Sequence, residues 1–173
     1  MTVAVNLSAP DLLDISLPAR VAELLTGHNL TADALVLEIT ETTVMSDPIP
    51  AQETLHGLRE LGVELAVDDY GTGHCSLAYL RRLPVQELKL DRSFVRHAAT
   101  DAKDAAIVTS TVLLTRALGM RMVGEGVEDE DVATLLFHAG VDRVQGWHYA
   151  RAMPAIDLLD WCTQRRAQLS GVG

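Results

Sequence analysis

The chain has 173 residues, 48% of them hydrophobic, with 24 acidic against 14 basic side chains and a net charge of −10. That length suits one domain with a substantial core, the apolar share excludes a disordered chain, and the acid excess excludes a nucleic-acid polymer as ligand, which needs a basic footprint. No apolar run approaches the ~20 residues of a membrane span, no charged-then-apolar leader opens the chain, and two cysteines, Cys75 and Cys162, make no disulfide framework; the cytoplasm is the expected compartment.

In chain order, short runs rich in Val, Leu and Ile alternate with helical patterns. The first strand is expected at VAVNL (3–7), followed by a helix from Pro18 to about Leu25 with Gly27 as its stop. ALVLEIT (34–40) reads as the second strand, and Pro50 to Leu61 as a helix with Leu55, Leu58 and Leu61 on one face before Gly62. VELAV (63–67) is the third strand; residues 76–83 hold at most a short helix. ELKL (87–90) is the fourth, and Asp101 to Leu118 sets Ile107, Val108 and Val112 near one face before Gly119. MRMV (120–123), a helix from Asp129 to Ala139 before Gly140, VDRV (141–144) and a closing helix from Pro154 to about Leu169 complete the pattern. Glycine just past a helix is the expected left-handed cap. Alternating strands and helices imply parallel strands with right-handed crossovers. The α/β class is then either an open doubly wound sheet or part of a (β/α)8 barrel. No Pro- or Ser-rich linker interrupts it, so residues 1–173 read as a single domain.

The polar residues collect at one end of that scheme. Asn6 lies in the first strand, Glu38 and Glu41 end the second, Asp68 and Asp69 close the third, and Lys89 and Asp91 the fourth. Glu125 and Glu128 follow the fifth, and Gln145 the sixth. Parallel α/β folds gather their active sites at the strand C-termini. Asn, Glu and Asp oxygens suit Mg²⁺ or Mn²⁺, and no HxxxH or CxxC points to zinc. Adjacent carboxylates such as Asp68 and Asp69 repel unless something positive separates them. Two divalent ions about 3.5–4 Å apart would do so, in the arrangement that clamps a phosphoester. Lys89 could hold a water or a phosphate oxygen. A small phosphorylated ligand met through a metal is compatible with the acid excess.

VNLS (5–8), LEITE (37–41), DDYGTGHCSL (68–77), KLD (89–91), GEGVE (124–128) and DRVQGWHYARAMP (142–154) resemble, in order, the motifs of EAL domains, the cyclic-di-GMP-specific phosphodiesterases of bacterial signalling. The resemblance runs over nearly the whole chain and implies a modified (β/α)8 TIM-like barrel. It implies that Asn6, Glu38, Asp68 and Glu125 are ligands of one metal and Asp69 of a second. Lys89 matches the lysine that positions the nucleophilic water, Gln145 a glutamine beside it, and Glu128 a further active-site acid. Asp91 matches an acid near the substrate, and Glu41 one that braces the loop after the Asp pair. Gly71, Thr72 and Gly73 match a mobile loop that couples the site to a dimer interface.

The chain departs from that family at its start, which falls directly in the VNLS strand. It has no Glu-Ala-Leu sequence, so one metal-ligand Glu, the first strand and the first helices are expected to be absent. Smaller departures are Tyr70 for Phe, His74-Cys75 for Tyr-Ser and Gly124 for Ala. Other readings of single residues stay open: Glu128 could serve a helix N-terminus, Asp91 could cap the next helix, and Lys89 could be a structural ion-pair partner. Trp147 and Tyr149 are expected to pack. Three functional classes follow: a metal-dependent hydrolase of cyclic-di-GMP to linear pGpG, weak or inactive in this chain; an inactive relative that binds the nucleotide or a protein partner; and a Mg²⁺-dependent lyase with Lys89 as base. Exposed sheet edges at residues 3–7 and 141–150 are expected to make the chain a homo-oligomer, beside a family-type contact near residues 70–83.

Overall fold

The computed structural model describes residues 2–46, 48–73 and 76–170. Its strands are β1 (Val3–Leu7), β2 (Leu35–Thr40), β3 (Glu64–Tyr70), β4 (Glu87–Leu90), β5 (Arg121–Gly124) and β6 (Arg143–Val144). Its helices are α1 (Ala9–Leu13), α2 (Leu17–Gly27), α3 (Glu41–Ser46), α4 (Pro48–Glu60), α5 (Leu77–Leu80), α6 (Arg92–Val95), α7 (Ala102–Leu118), α8 (Glu130–Ala139) and α9 (Ala155–Ser170).

All pairings are parallel and the sheet runs in strict order from β1 to β6. That order decides between the two architectures left open by the sequence. A doubly wound sheet reverses direction at a switch point. Here every right-handed crossover steps the same way, so the helices stack on one side of the sheet. The opposite side is the inner face of a barrel arc. β1 pairs only with β2 and β6 only with β5 among the described residues, so the arc does not close on itself.

Strand alternation sorts the side chains onto those two faces. Leu37, Ile39, Leu65, Val67 and Leu88 face the helices, where Leu12, Leu17, Val21, Leu55, Leu58 and Leu80 bury against them. Leu90 and Met122 join Val95, Val108, Val112, Val132 and Leu136 in a second cluster under α6, α7 and α8. The inner face carries the intervening residues, among them Glu38, Ala66, Glu87 and Lys89.

Several expected boundaries shift. Gly119 and Gly140 are left-handed caps as expected, but α2 runs through Gly27. The left-handed position there belongs to Asn29, at φ 54°, whose side chain tolerates it. The short helices α1, α3 and α6 gave no periodic signal because each is barely one turn long. β3 extends three residues past its apolar run, through a register shift between Val67 and Tyr70. His74 and Cys75 lie outside the described residues.

Candidate active site

Lys89 is the centre of the site. On β4, Leu88 and Leu90 point into the apolar clusters, which leaves Lys89 on the inner face at 3% exposure. Its ammonium meets Glu38 Oε1 of β2 at 2.8 Å, Asp68 Oδ1 of β3 at 2.7 Å and Glu125 Oε1, just past β5, at 2.8 Å. Burial alone would lower its pKa. Hydrogen bonds to Asp68, Glu125 and Glu38 outweigh burial and hold Lys89 above the ordinary lysine range. Three carboxylates thus hold Lys89 as a cation, whereas a general base needs the opposite shift, so the geometry does not favour the lyase reading.

Glu125 is pushed up to about 7, first by burial, against the attraction of Lys89 and with the repulsion of Asp68 and Asp69 added. Gln145 Nε2 donates to the same Glu125 oxygen that faces Lys89, at 2.5 Å. Asp69 is also raised, first by burial and then by Asp68 and Asp91. It sits at the β3 register shift with φ 55°, a left-handed conformation rare outside glycine. That turn lets two adjacent carboxylates, normally on opposite faces of a strand, approach one another. Asp68, Asp69 and Glu125 each bring a carboxylate oxygen within 4.8 Å of the others.

The acids fit a divalent cation. Glu38, Asp68, Asp69 and Glu125 set four carboxylates against the one ammonium of Lys89. Asp68 Oδ1 is buried, and the Lys89 ammonium at 2.7 Å is its close partner. An all-oxygen donor set with excess negative charge suits a hard divalent cation.

The other expected site residues are placed as follows. Asn6 lies on β1 in register with Glu38, exposed next to the unpaired edge. Glu41 opens α3 rather than ending β2. Its Oε2 accepts from the backbone N–H of Gly71 at 3.2 Å and of Gly73 at 3.1 Å, so it braces the loop. Both glycines are required there: Gly71 has φ 100°, and a Cβ on Gly73 would meet Glu41 Cδ at 2.9 Å. Thr72 Oγ1 closes the turn on the Asp69 carbonyl at 2.9 Å. Asp91 caps α6 through Ser93 N at 2.9 Å. Glu128 precedes the α8 cap, which is Asp129, and takes Arg96 Nη2 on both oxygens at 2.9 and 3.0 Å. Tyr149 packs on the second apolar cluster. Trp147 does not pack inside: it is 60% exposed, with the Arg151 guanidinium 4.7 Å over its ring.

The structure thus brings together Glu38, Asp68, Asp69, Lys89, Glu125 and Gln145. It also shows a set that sequence reasoning missed: Glu64, Glu87, Arg121 and Arg143, on the same face one layer below. Arg96, the partner of Glu128, was missed too. Alternation within the expected strands was the available signal for the lower layer, since Glu87 and Lys89 are two apart.

The EAL domain family profile matches residues 1–152. The chain belongs to the EAL domain family. It is 43% identical over 91% of its length to the bifunctional diguanylate cyclase/cyclic di-GMP phosphodiesterase MucR of Pseudomonas aeruginosa. It is 37% identical over 94% of its length to the cyclic di-GMP phosphodiesterase RocR of the same organism. The chain spans 23% of the MucR sequence and 42% of RocR. Among solved structures it matches the EAL domain of Mycobacterium smegmatis DcpA with a TM-score of 0.89 at 34% identity, over 95% of this chain and 74% of that one. The PaMucR phosphodiesterase in complex with c-di-GMP matches at 0.84 and 43% identity, over 91% of this chain and 64% of that one. The six parallel strands of this EAL chain are the arc of a TIM-like barrel.

Proposed function

We propose that this EAL chain carries the metal-dependent phosphodiesterase site for cyclic-di-GMP, opening one phosphodiester to give linear pGpG. The observation that carries the reading is the Lys89 ammonium held by carboxylates from three successive strands, with Asp68, Asp69 and Glu125 gathered beside it. The relatives support it: two are named as cyclic di-GMP phosphodiesterases, and PaMucR and Klebsiella pneumoniae BlrP1 were solved with the dinucleotide, the latter also with manganese. A phosphodiester carries negative charge and would be repelled by four carboxylates around one ammonium. The site needs added positive charge before it can accept such a substrate.

On this reading Glu38, Asp68, Asp69 and Glu125 hold Mg²⁺ or Mn²⁺, with Asn6 at the rim. Bound there, such ions polarise phosphoryl oxygens and lower the pKa of a water. Lys89 stays protonated and donates, orienting a water or a phosphate oxygen. Gln145 fixes the Glu125 carboxylate. Glu41 orders the Gly71–Gly73 loop beneath Asp69, while Asp91 and Glu128 bear on the rim through α6 and Arg96. These 173 residues contain no Glu-Ala-Leu sequence, and we propose slow turnover by this chain alone, with self-association through its sheet edges. The second reading, nucleotide binding without hydrolysis, rests on the same absence.

The test is incubation of the purified chain with cyclic-di-GMP and Mn²⁺, with chromatographic separation of products. Formation of pGpG that is abolished by Asp68→Asn and by Lys89→Ala is the expected result. Binding of the dinucleotide with no pGpG selects the second reading. Neither binding nor product refutes both.

A further inference from the structure

Below the site, the same strands carry a second set of charges. Arg121 of β5 reaches Glu64 of β3, Nη2 to Oε2 at 2.6 Å, and Glu87 of β4, Nε to Oε2 at 3.4 Å. Arg143 of β6 reaches the same Glu87 oxygen with Nη1 at 2.9 Å. Glu87 is buried. Each member stands on the strand of a site residue and on the same face, shifted by an even number of positions. Glu64 lies four before Asp68, Glu87 two before Lys89, Arg121 four before Glu125 and Arg143 two before Gln145.

Two of these contacts skip a strand. Arg121 joins β5 to β3 across β4, and Arg143 joins β6 to β4 across β5. Neighbouring strands lie about 4.8 Å apart, so each contact is a chord over roughly 10 Å of sheet. A chord on the inner face pulls the outer two strands together and bends the sheet. In a closed barrel the strand pairing itself fixes that bend. Among the described residues β1 and β6 are not paired with each other, and contacts that skip a strand on the inner face favour the bend. The bend in turn decides how closely Asp68, Glu125 and Lys89 approach one layer above, since they ride on the same strands.

We propose that Glu64, Glu87, Arg121 and Arg143 are positioning residues that set the curvature of the arc and so hold the Lys89–carboxylate cluster at contact distance. The inference deepens the reading of the site given above and, in its metal arm, rests on it. Outer residues that orient metal ligands are commonly worth about 10–100-fold in metal affinity.

The chain has two lysines, Lys89 and Lys103, which makes the side-chain ammonium signal of Lys89 easy to assign by nitrogen-15 NMR. Lys89, sealed by three carboxylates, is expected to give a slowly exchanging ammonium resonance in the unsubstituted chain. Arg143→Gln and Arg121→Gln are expected to shift or broaden that resonance away while circular dichroism shows the fold retained. Arg143 is half exposed on the edge strand, so its variant tolerates the change even if Arg121→Gln does not fold. Mn²⁺ titration, read by calorimetry, is expected to show about ten-fold weaker binding in Arg143→Gln. The sign discriminates: removing a positive charge would by field alone tighten cation binding. An unaltered Lys89 resonance in folded Arg143→Gln overturns the proposal, whatever Mn²⁺ does. Tighter Mn²⁺ binding with that resonance unaltered means that the array acts only through its charge. Failure of the unsubstituted chain to bind Mn²⁺ refutes the metal reading alone, and the Lys89 resonance still decides the positioning role.

Discussion

Replacing Lys89 by methionine keeps the length of the side chain and removes the one cation that, among the described residues, contacts Glu38, Asp68 and Glu125. The site is nearly sealed, with Lys89 3% and Glu38 8% exposed. Removing one partner of a buried ion pair costs about 3–5 kcal/mol, because the other charge is left unpaired. Three carboxylates share this ammonium, so a loss of that size applies at pH 8. For a domain of this size a loss of about 3–5 kcal/mol lowers Tm by roughly 6–20 °C. Glu125, pushed up to about 7 even beside Lys89, is pushed higher still once that attraction is gone. Stability is then fully present at low pH and lost as pH rises. Urea unfolding followed by circular dichroism should show the variant close to the parent at pH 5 and far below it at pH 8. Mn²⁺, by supplying the missing charge, should restore part of the loss at pH 8. A difference under about 1 kcal/mol at pH 8, the size of an exposed pair, would refute the view that Lys89 neutralises the cluster.

Glu41→Ala strips the carboxylate from the N–H groups of Gly71 and Gly73. Local protection of residues 71–73 should fall by about 1–3 kcal/mol in amide hydrogen exchange, and unchanged exchange would show that the loop orders itself. Glu125 rises from 4.5 to about 7 on folding. Its contribution in the metal-free chain is complete below pH about 4.5, declines as the unfolded form ionises first, and is gone above about 7. The Tm of Glu125→Gln should decline less over that window than that of the parent; equal slopes contradict the shift. At the sheet edge, Val3 and Val5 are 48% and 45% exposed on β1, whose outer edge is unpaired among the described residues, a configuration that invites association. Light scattering at tens of micromolar should report a dimer or larger species, and a monodisperse monomer sinks that expectation.

How much of this was legible in the sequence depends on the range of the interaction. Strands and long helices announce themselves through local periodicity, so β1 and β4 fall where VAVNL and ELKL place them. The cluster around Lys89 was legible because each member ends a strand and parallel topology sends all those ends one way. What escaped was decided by contacts distant in sequence. Glu128 looks like a helix-start acid until Arg96, 32 residues earlier, comes beside it. Glu64 and Arg121 are 57 residues apart, and nothing local in either stretch reveals that a side chain will cross β4 to join them. At Asp69 what escaped was the means: the Asp-Asp pair reads as one site, but nothing local shows that the second residue reaches it by turning left-handed.

The bonding of Glu125 says how Lys89 can become available to a substrate. Lys89 has three N–H donors, and three carboxylates take them. To donate to a phosphate oxygen it must leave one of these partners. Leaving Asp68 would strip its buried Oδ1 of the Lys89 ammonium, with no other donor to that oxygen among the described residues. Glu125 Oε1 has a second donor in Gln145 at 2.5 Å, and burial pushes Glu125 itself up to about 7. Lys89 can therefore release Glu125 while Gln145 keeps that oxygen satisfied. Gln145→Leu removes the substitute donor, so release would orphan a buried carboxylate at a cost of about 1–3 kcal/mol. If the chain hydrolyses cyclic-di-GMP as proposed, kcat in this variant should fall by roughly 5- to 150-fold with KM little changed, the equivalent of that cost at about 1.36 kcal/mol per ten-fold. A raised KM at constant kcat would instead put Gln145 in contact with the bound dinucleotide and refute its role as the stand-in donor.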